Sequence, residues 1–253
     1  MIEVFHFILD HRVGGPHVYV RGLARTLASE VESLLVTTGH GAMTDIALLN
    51  LRHRLRWFYP LEVFLNALCL CWRFRRRESR QGIVFDVHGA ANLAPIVAAR
   101  LLDIPLVWHF HETVGGFSVL ADLGKRISWG VPHRYVIVAK KSAAVFNLPE
   151  AILIPGAVDT VFWSPAATGG VSIDDGKRLR ILSVGNLNPL KGVDVLLAAL
   201  EIFGRPWELV IVGAELETYS GYARKLREHA GRLASATRKV HSPAGSLRRK
   251  FAA

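Results

Sequence analysis

The sequence predicts an α/β protein with parallel sheets, arranged as two domains. Short runs of apolar and β-branched residues alternate along the chain with segments of helical periodicity, which is typical of strand–helix–strand crossovers. A small, polar and glycine-rich stretch at 164–177 divides this alternating series. We therefore expect domains at residues 1–165 and 166–253. The second is expected to be incomplete, because its recognisable strands end at Gly213.

Each element of the first domain follows from its local pattern. A helix is predicted at 18–27, where Val20, Leu23 and Leu27 share one face, and a second helix at 93–102. Apolar runs bounded by polar or turn residues predict the strands, at 2–9, 33–37, 82–86, 105–109, 134–138 and 151–154.

The second domain begins with the most informative segment, residues 181–200. It predicts a buried strand, a tight loop that contains Lys191, and a helix over 191–203. Such a loop aims backbone N–H groups and a cation at one point, an arrangement that suits a phosphate. A strand at 207–212 and a helix at 219–234 follow.

The net charge of +10 is concentrated in two segments. Residues 52–80 carry a balance of +6 and residues 224–250 a balance of +8, whereas the rest of the chain sums to −4. In the first segment arginines flank apolar and aromatic residues, which is typical of a helix on an anionic membrane surface. The alternative is a core-facing helix with a solvated arginine end. We expect no nucleic-acid partner, since the sequence lacks zinc-finger spacing, RNA-recognition signatures and a basic zipper.

Composition indicates a globular protein of a reducing compartment. Hydrophobic residues make up 51% of the chain. Cys69 and Cys71, two residues apart on a predicted helix, would point to different sides of it, so we expect no disulfide between them. The first residues lack the basic leader of a signal peptide. The apolar stretch 61–72 is shorter than the roughly 20 residues of a membrane span. We expect a cytoplasmic protein, peripheral at the inner face of the plasma membrane if 52–80 binds lipid.

Two loops at predicted strand ends carry residues suited to ligands, which bind at the carboxyl ends of open parallel sheets. Gly14 and Gly15 allow a phosphate to approach the backbone, although glycine pairs are also common in plain turns. His109 and His111 point the same way if their strand continues. They can bind a metal or a sugar hydroxyl. We expect no metal, because no third ligand stands at a suggestive spacing. Motifs of serine hydrolases, P-loop enzymes and dinucleotide enzymes do not occur.

Four motifs, in this order along the chain, resemble the retaining glycosyltransferases of family 4, which have the GT-B fold. The first is Gly14-Gly15 with the helix that follows it, and the second is His111 at the end of a central strand. The third is the segment 154–162, Ile-Pro-Gly-Ala-Val-Asp-Thr-Val-Phe, similar to that family's interdomain segment. The fourth is the segment 184–192, Val-Gly-Asn-Leu-Asn-Pro-Leu-Lys-Gly, similar to its donor-phosphate loop.

The resemblance implies two Rossmann-like domains that face each other across a cleft, with a nucleotide-sugar mainly on the C-terminal one. It implies transfer of a sugar with retention of configuration to a glycan, polysaccharide or lipid-linked acceptor, without a cofactor or metal. A basic pair stabilises the leaving diphosphate in this family. Lys191 matches its lysine, and Asn186 stands at its arginine position. The backbone at Gly14 and Gly15 would contact the same diphosphate, and His111 the transferred sugar.

The resemblance stops short at the C-terminal end. The family's two glutamates, and the helix that returns to the N-terminal domain, would fall beyond Ala253. We therefore expect a truncated transferase with weakened donor binding. Two alternatives remain: a non-catalytic remnant that binds a partner or a membrane through its first domain, and a sugar-nucleotide epimerase of the GT-B type.

Overall fold

The computed structural model describes residues 2–10, 14–51, 56–77, 80–158, 160–161, 164, 178–233 and 238–241. The chain divides into two compact units, Met1–Trp163 and Ser164–Ala253. The roles that the resemblance gives to the two domains stay predictions. The features of the sequence analysis that lie outside the described residues are Arg52, Arg54, Asp159, Phe162, residues 165–177 and the basic residues after His241.

The first unit is an α/β layer structure. Its strands are β1 (Ile2–Ile8), β2 (Val31–Thr38), β3 (Ile46–Leu48), β4 (Ile83–His88), β5 (Leu106–Phe110), β6 (His133–Ile137) and β7 (Ile152–Leu153). Its helices are α1 (Gly15–Thr26), α2 (Tyr59–Arg75), α3 (Leu93–Leu102), α4 (Ser118–Ile127) and α5 (Lys140–Phe146). The predicted α/β class is confirmed.

The strands of this unit form one seven-stranded parallel sheet, in the order β3-β2-β1-β4-β5-β6-β7. The order of winding therefore reverses between β1 and β4, which is the place where open α/β sheets bind ligands. The central strands are buried on both faces, as their nearly continuous apolar sequences require. Gly124 lets α4 approach the sheet closely, since a Cβ there would lie 2.4 Å from the ring of Trp108.

Helix α2 explains why polar residues interrupt the apolar stretch 61–72. Glu62 and Asn66 are buried, and their side-chain oxygens accept hydrogen bonds from the backbone N–H groups of Leu51 (2.7 Å) and Leu49 (2.9 Å). The opposite side of this segment is an exposed apolar stripe, formed by Trp57, Leu61, Phe64, Leu68 and Trp72. No helix in the described ranges combines the length and the apolarity needed to cross a membrane.

The second unit is smaller, and in the described residues helices cover one face of its β-sheet. Its strands are β8 (Leu179–Val184), β9 (Trp207–Val212) and β10 (Arg238–His241), and its helices are α6 (Val193–Glu201) and α7 (Ser220–Leu233). The parallel sheet has the order β10-β9-β8. Side chains of α6 and α7 pack with alternate residues of β9, such as Trp207 and Leu209, in one apolar core.

Three expectations about these elements are wrong. The strand before the lysine loop is not buried: β8 is an edge strand, with Leu182 66% and Val184 68% exposed. Strands do not end at Gly213, because the short basic segment of β10 pairs with β9. Helix α1 begins at Gly15 and not at residue 18, since Pro16 favours the first helical turn.

Candidate functional site

Three neighbouring strands of the first unit bring a cluster of polar side chains to the reversal of strand order. His6 and Asp86 are register partners on β1 and β4, and His88 and His109 are register partners on β4 and β5. These four residues are buried, and His111, just after β5, is half-buried. Residues two apart on a strand share a face, so Asp86 with His88 and His109 with His111 project together. The sheet thus assembles one site from three separate segments.

Asp86 is the centre of this cluster. One carboxylate oxygen, Oδ2, accepts hydrogen bonds from His6 Nδ1 at 2.6 Å and from His88 Nε2 at 3.0 Å. The other oxygen, Oδ1, lies 2.9 Å from His109 Nε2, although the N–H direction is poorly aligned with it. Burial alone would raise the pKa of Asp86, but the attraction of His88 and contacts from three imidazoles hold that pKa well below its usual range. The carboxylate therefore stays ionised inside the fold.

His111 is joined to this centre through His88, whose Nδ1 lies 2.9 Å from His111 Nε2. Burial lowers the pKa of His111 to about 3, with smaller contributions from His88 and His109. Burial also lowers the pKa of His88, against the opposing effect of Asp86. Both imidazoles are therefore neutral at neutral pH. Because His88 donates through Nε2 to Asp86, its Nδ1 accepts the hydrogen bond from His111.

Tyr19, on α1, covers the exposed side of the imidazoles. Its ring centroid lies 6.0 Å from that of His88, 5.7 Å from that of His109 and 5.3 Å from that of His111. Burial, and then the charge of Asp86, raise the pKa of its phenol, so the hydroxyl keeps its proton. The first helix thus packs directly on the cluster.

Two members of this cluster, His109 and His111, were predicted from the sequence, and the others were not. No third metal ligand was expected. The structure supplies one in His88: a donor nitrogen from each of these three residues lies within 4.8 Å of the others. The local signal was the Asp-x-His pattern at the end of β4. Its significance depends on the pairing of β4 with β5, which spacing along the chain does not reveal.

The glycine loop forms an open helix N-terminus next to this cluster. Gly14 precedes α1, and its carbonyl accepts from the N–H groups of His17 (3.1 Å) and Val18 (3.2 Å). The first turn has no capping side chain and no acidic residue. Gly15 does not have a positive φ, and nothing lies within 4 Å of where its Cβ would be. Packing within the described protein therefore does not require glycine at this position.

In the second unit, Lys191 lies over the glycine loop that the sequence analysis singled out. It ends the short turn Pro189–Lys191 before α6, and its methylene groups would contact a Cβ on Gly185 at 3.5 to 3.6 Å. The side chain is exposed and makes no ion pair within the described residues. Gly213 holds the loop against β9, since a Cβ there would lie 1.9 Å from the carbonyl oxygen of Gly185.

The other predicted site residues have simpler surroundings. The side-chain oxygen of Asn186 accepts from the N–H of Ala214 at 3.3 Å, so part of this amide supports the loop itself. Its NH₂ group remains as the donor that a ligand could meet. Gly156 and Ala157, in the predicted interdomain segment, are exposed and lie outside helices and strands.

Comparison with solved structures identifies proteins of the same fold. The Anabaena protein HepE, in complex with UDP and glucose, matches with a TM-score of 0.73 at 14% identity, over 96% of this chain and 69% of that one. A Rickettsia africae glycosyltransferase matches with a TM-score of 0.67 at 13% identity, over 99% and 70% of the two chains. The Neisseria meningitidis UDP-GlcNAc 2-epimerase, bound to UDP-GlcNAc, matches with a TM-score of 0.54 at 12% identity, over 99% and 74%.

These matches show the fold. The chain has the parallel α/β architecture of GT-B proteins, as the four sequence motifs predicted. Neither a protein-family profile nor a curated protein sequence matches it significantly. Membership of family 4, retention of configuration and the nature of the acceptor stay predictions.

Proposed function

We propose that this chain binds a nucleotide-sugar and transfers the sugar, with retention, to a glycan, polysaccharide or lipid-linked acceptor. The observation that carries the proposal is the open N-terminus of α1 beside the histidine cluster, at the reversal of strand order. Proteins of the same fold were solved with UDP and glucose and with UDP-GlcNAc, which supports a nucleotide-sugar as the ligand.

Packing within the described protein does not explain the glycine at position 15, and unlike the other glycines with open surroundings it lies at the N-terminus of α1. A ligand that approaches the backbone closely would account for it, because any Cβ would occupy the ligand's space. His17 and Val18 already donate to the Gly14 carbonyl and Pro16 has no N–H, so the backbone donor offered here is the N–H of Gly15. Together with the positive end of the helix dipole, it favours an anion at this position. A diphosphate gains negative charge as it leaves the sugar, and donors fixed in advance stabilise that charge where it develops.

His111 and Lys191 supply the other interactions of the proposal. His111 is neutral, oriented by His88, and open enough to hydrogen-bond a sugar hydroxyl. Lys191 offers an exposed ammonium at a glycine loop of the second unit, a suitable point charge for a phosphate. Asn186 would add one uncharged donor. We infer that no metal is required for the transfer step itself, as the resemblance implies.

Calorimetric titration of UDP and TDP into the chain tests donor binding, with a matched pair of variants within α1. Gly15 and Gly22 are both glycines of this helix with no atom near the missing Cβ. We expect Gly15→Ala to weaken nucleotide binding at least about 10-fold, a loss of about 1.4 kcal/mol. Gly22→Ala should leave it unchanged. Equal affinity in both variants would contradict the assignment of the α1 N-terminus.

A second pair separates donor binding from chemistry. Lys191→Ala should weaken UDP binding, whereas Lys225→Ala, an exposed lysine on α7, should not. His111→Ala should abolish sugar transfer, followed by mass spectrometry of products, while nucleotide binding is kept. A wild-type chain that binds no sugar nucleotide would support the non-catalytic remnant instead.

An epimerase is the second candidate, favoured by the match to the UDP-GlcNAc 2-epimerase. An epimerase converts its sugar nucleotide without an acceptor, whereas a transferase needs one for transfer. Incubation of UDP-GlcNAc with the chain alone, with product analysis by NMR, distinguishes the two. Appearance of an epimer would replace the transferase proposal.

The acceptor proposal rests on the exposed stripe of α2. Five large apolar side chains lie one helical turn apart on its solvent side, with tryptophans at both ends. Exposed Arg73, Arg75 and Arg76 follow at the C-terminal end, and the Arg76 guanidinium lies 4.1 Å from the ring centroid of Trp72. Aromatic and basic residues on one amphipathic surface match an anionic bilayer in both polarity and charge. We propose that this stripe places the chain on an anionic membrane that carries the acceptor.

Vesicle flotation tests this surface directly. The chain should float with phosphatidylglycerol vesicles and much less with phosphatidylcholine vesicles. The double variant Phe64→Ser/Leu68→Ser should lose flotation. Val195→Ser/Ile202→Ser, which removes two exposed apolar residues of the second unit, should keep it. Flotation without lipid preference, or unaffected by the α2 variant, would exclude the membrane role without affecting the donor-binding test.

A further inference from the structure

The imidazoles around Asp86 have an arrangement that sugar transfer does not explain. His88 and His109 both direct Nε2 at the same buried carboxylate, so both present Nδ1 as the remaining ring nitrogen. Nδ1 of His88 faces His111 Nε2 at 2.9 Å. Nδ1 of His109 is buried and has no hydrogen-bond partner among the described residues. A buried polar nitrogen without a hydrogen-bond partner lowers the stability of the fold, and a bound ligand would remove that cost.

We propose that His88, His109 and His111 form a binding site for a divalent transition metal ion of the zinc class. One donor nitrogen from each lies within 4.8 Å of the others. In a tetrahedral zinc site, ligand nitrogens stand about 3.3 Å apart, since each lies about 2.0–2.1 Å from the metal. Metal binding would therefore have to draw the three nitrogens closer together than they lie in the absence of an ion. Imidazole nitrogen suits zinc and its neighbours in the transition series better than calcium or magnesium, which prefer oxygen.

Asp86 has the position of the supporting carboxylate in such a site. A histidine that binds a metal commonly donates its other N–H to a carboxylate, which fixes the ring orientation and makes the ligating nitrogen more basic. Asp86 accepts from His88 in this way and lies 2.9 Å from His109 Nε2, and it brings a buried negative charge near the ion. On metal binding the proton of the His111 imidazole would move from Nε2, where it is shared with His88, to Nδ1, which leaves Nε2 free for the ion. Three protein ligands leave a fourth position for water or a substrate atom, as in catalytic zinc sites.

The deeper group of His6, Asp86 and His88 is a weaker candidate for the same ion. Both nitrogens of His6 already have partners, since Nδ1 contacts Asp86 at 2.6 Å and Nε2 contacts the Ser33 hydroxyl at 3.2 Å. A metal there would displace a hydrogen bond of His6, whereas at the outer site it would displace the one between His88 and His111. At the outer site an ion would give the unpartnered nitrogen of His109 its ligand.

Titration of the untagged, chelator-dialysed chain with Zn²⁺ alone, followed by calorimetry, tests the site. We expect one ion per chain, and Co²⁺ alone should give the visible absorption of a four-coordinate ion. His109→Ala and His111→Ala should each weaken binding by at least about 100-fold, beyond the about 10–100-fold typical of a supporting residue. His40→Ala, an exposed histidine outside the cluster, is the matched control and should change nothing.

Asp86→Asn tests the positioning role separately. It should weaken Zn²⁺ binding about 10–100-fold while the one-to-one stoichiometry and the Co²⁺ spectrum persist. Circular dichroism checks the folding of each variant. If His109→Ala does not fold, the test rests on His111→Ala, because position 111 is only half-buried. Absence of saturable binding, or equal affinity in wild type and His111→Ala, would overturn the proposal. These measurements involve no sugar nucleotide. A negative result would therefore contradict the metal site without contradicting the transferase proposal.

Discussion

The two units differ in how completely their β-sheets are buried. The first encloses its central strands on both faces, and this enclosure keeps an ionised Asp86 and its imidazoles away from water. The second covers one face of a three-stranded sheet, and its candidate ligand-binding residues are a solvated lysine and a half-buried amide. The difference indicates a division of chemistry. The candidate interactions that require a dry, oriented environment lie in the first unit, whereas the second unit offers a solvated point charge.

The largest expected effect concerns the glycine contact that holds the loop of the second unit. Gly213→Ala places a Cβ 1.9 Å from a backbone oxygen, which no side-chain rotation relieves. We expect the second unit to lose about 3 kcal/mol or more of stability, at the upper end of overpacking costs. Hydrogen exchange, resolved by peptide, should show faster exchange in β8 and β9 while β1 and β4 keep theirs. Gly204→Ala, with open space around it, is the control. Unchanged exchange in β8 would show that the close contact between Gly213 and Gly185 does not stabilise the second unit.

The second-largest expected effect is a loss of stability of the first unit at acidic pH, measured with a chelator present. Burial lowers the pKa of His111 to about 3, so the unfolded chain, with a usual histidine pKa of about 6.5, binds a proton that the folded chain does not. Stability is therefore lost as the pH falls below 6.5. His111 alone accounts for about 2 kcal/mol between pH 6.5 and 5.

Hydrogen exchange at several pH values, corrected for intrinsic rates, checks this prediction. The loss should be confined to the first unit, because the described part of the second holds no fully buried histidine. His111→Gln should flatten the profile. An equal response in both units would break the proposed difference.

A smaller loss is expected where a glycine meets a side chain and not the backbone. Gly124→Ala brings a Cβ to 2.4 Å from Trp108 and 3.0 Å from Leu93. The fully buried Trp108 ring would have to move by about 1 Å to restore ordinary contact, so we expect a cost of about 2 kcal/mol, confined to the first unit. Urea unfolding followed by tryptophan fluorescence measures it. Gly116→Ala, with no neighbour within 4 Å, should be neutral, and a loss there equal to that of Gly124→Ala would refute the packing argument.

The smallest expected effect is a gain in stability from a glycine-to-alanine substitution, limited to the unit that carries the substitution. Gly22 in α1 and Gly231 in α7 are exposed helical glycines with open space around the missing Cβ. Alanine should stabilise each helix by about 0.5–1 kcal/mol, because glycine loses more backbone entropy on folding. Peptide-level exchange should slow in the substituted unit only. A gain in both units from one substitution would reveal coupling between them.

Much of the fold was predictable because the signals are local. Apolar runs and helical periodicity indicated most strands and helices and the α/β class. The failures are nonlocal. The exposure of Leu182 depends on which helices cover β8, and the role of His88 depends on the register between β4 and β5. The strand β10 carries little apolar signal, so only its pairing with β9 defines it. His111, Gly15 and Lys191 could be named as candidates because their loops follow predicted strands, whereas Asp86 and His6 lie within strands.

The exposed β8 has a consequence for the behaviour of the protein at high concentration. It is an edge strand in the described sheet, with the exposed apolar side chains of Leu182 and Val184, one exposed charge at Arg180, and no proline or bulge to block an incoming strand. Such an edge is a template for pairing between molecules, which natural proteins usually obstruct with charge. Self-association through strand addition should therefore begin at β8. A lysine in place of Leu182 would be the most economical way to keep the chain monodisperse without disturbing the apolar core of either unit.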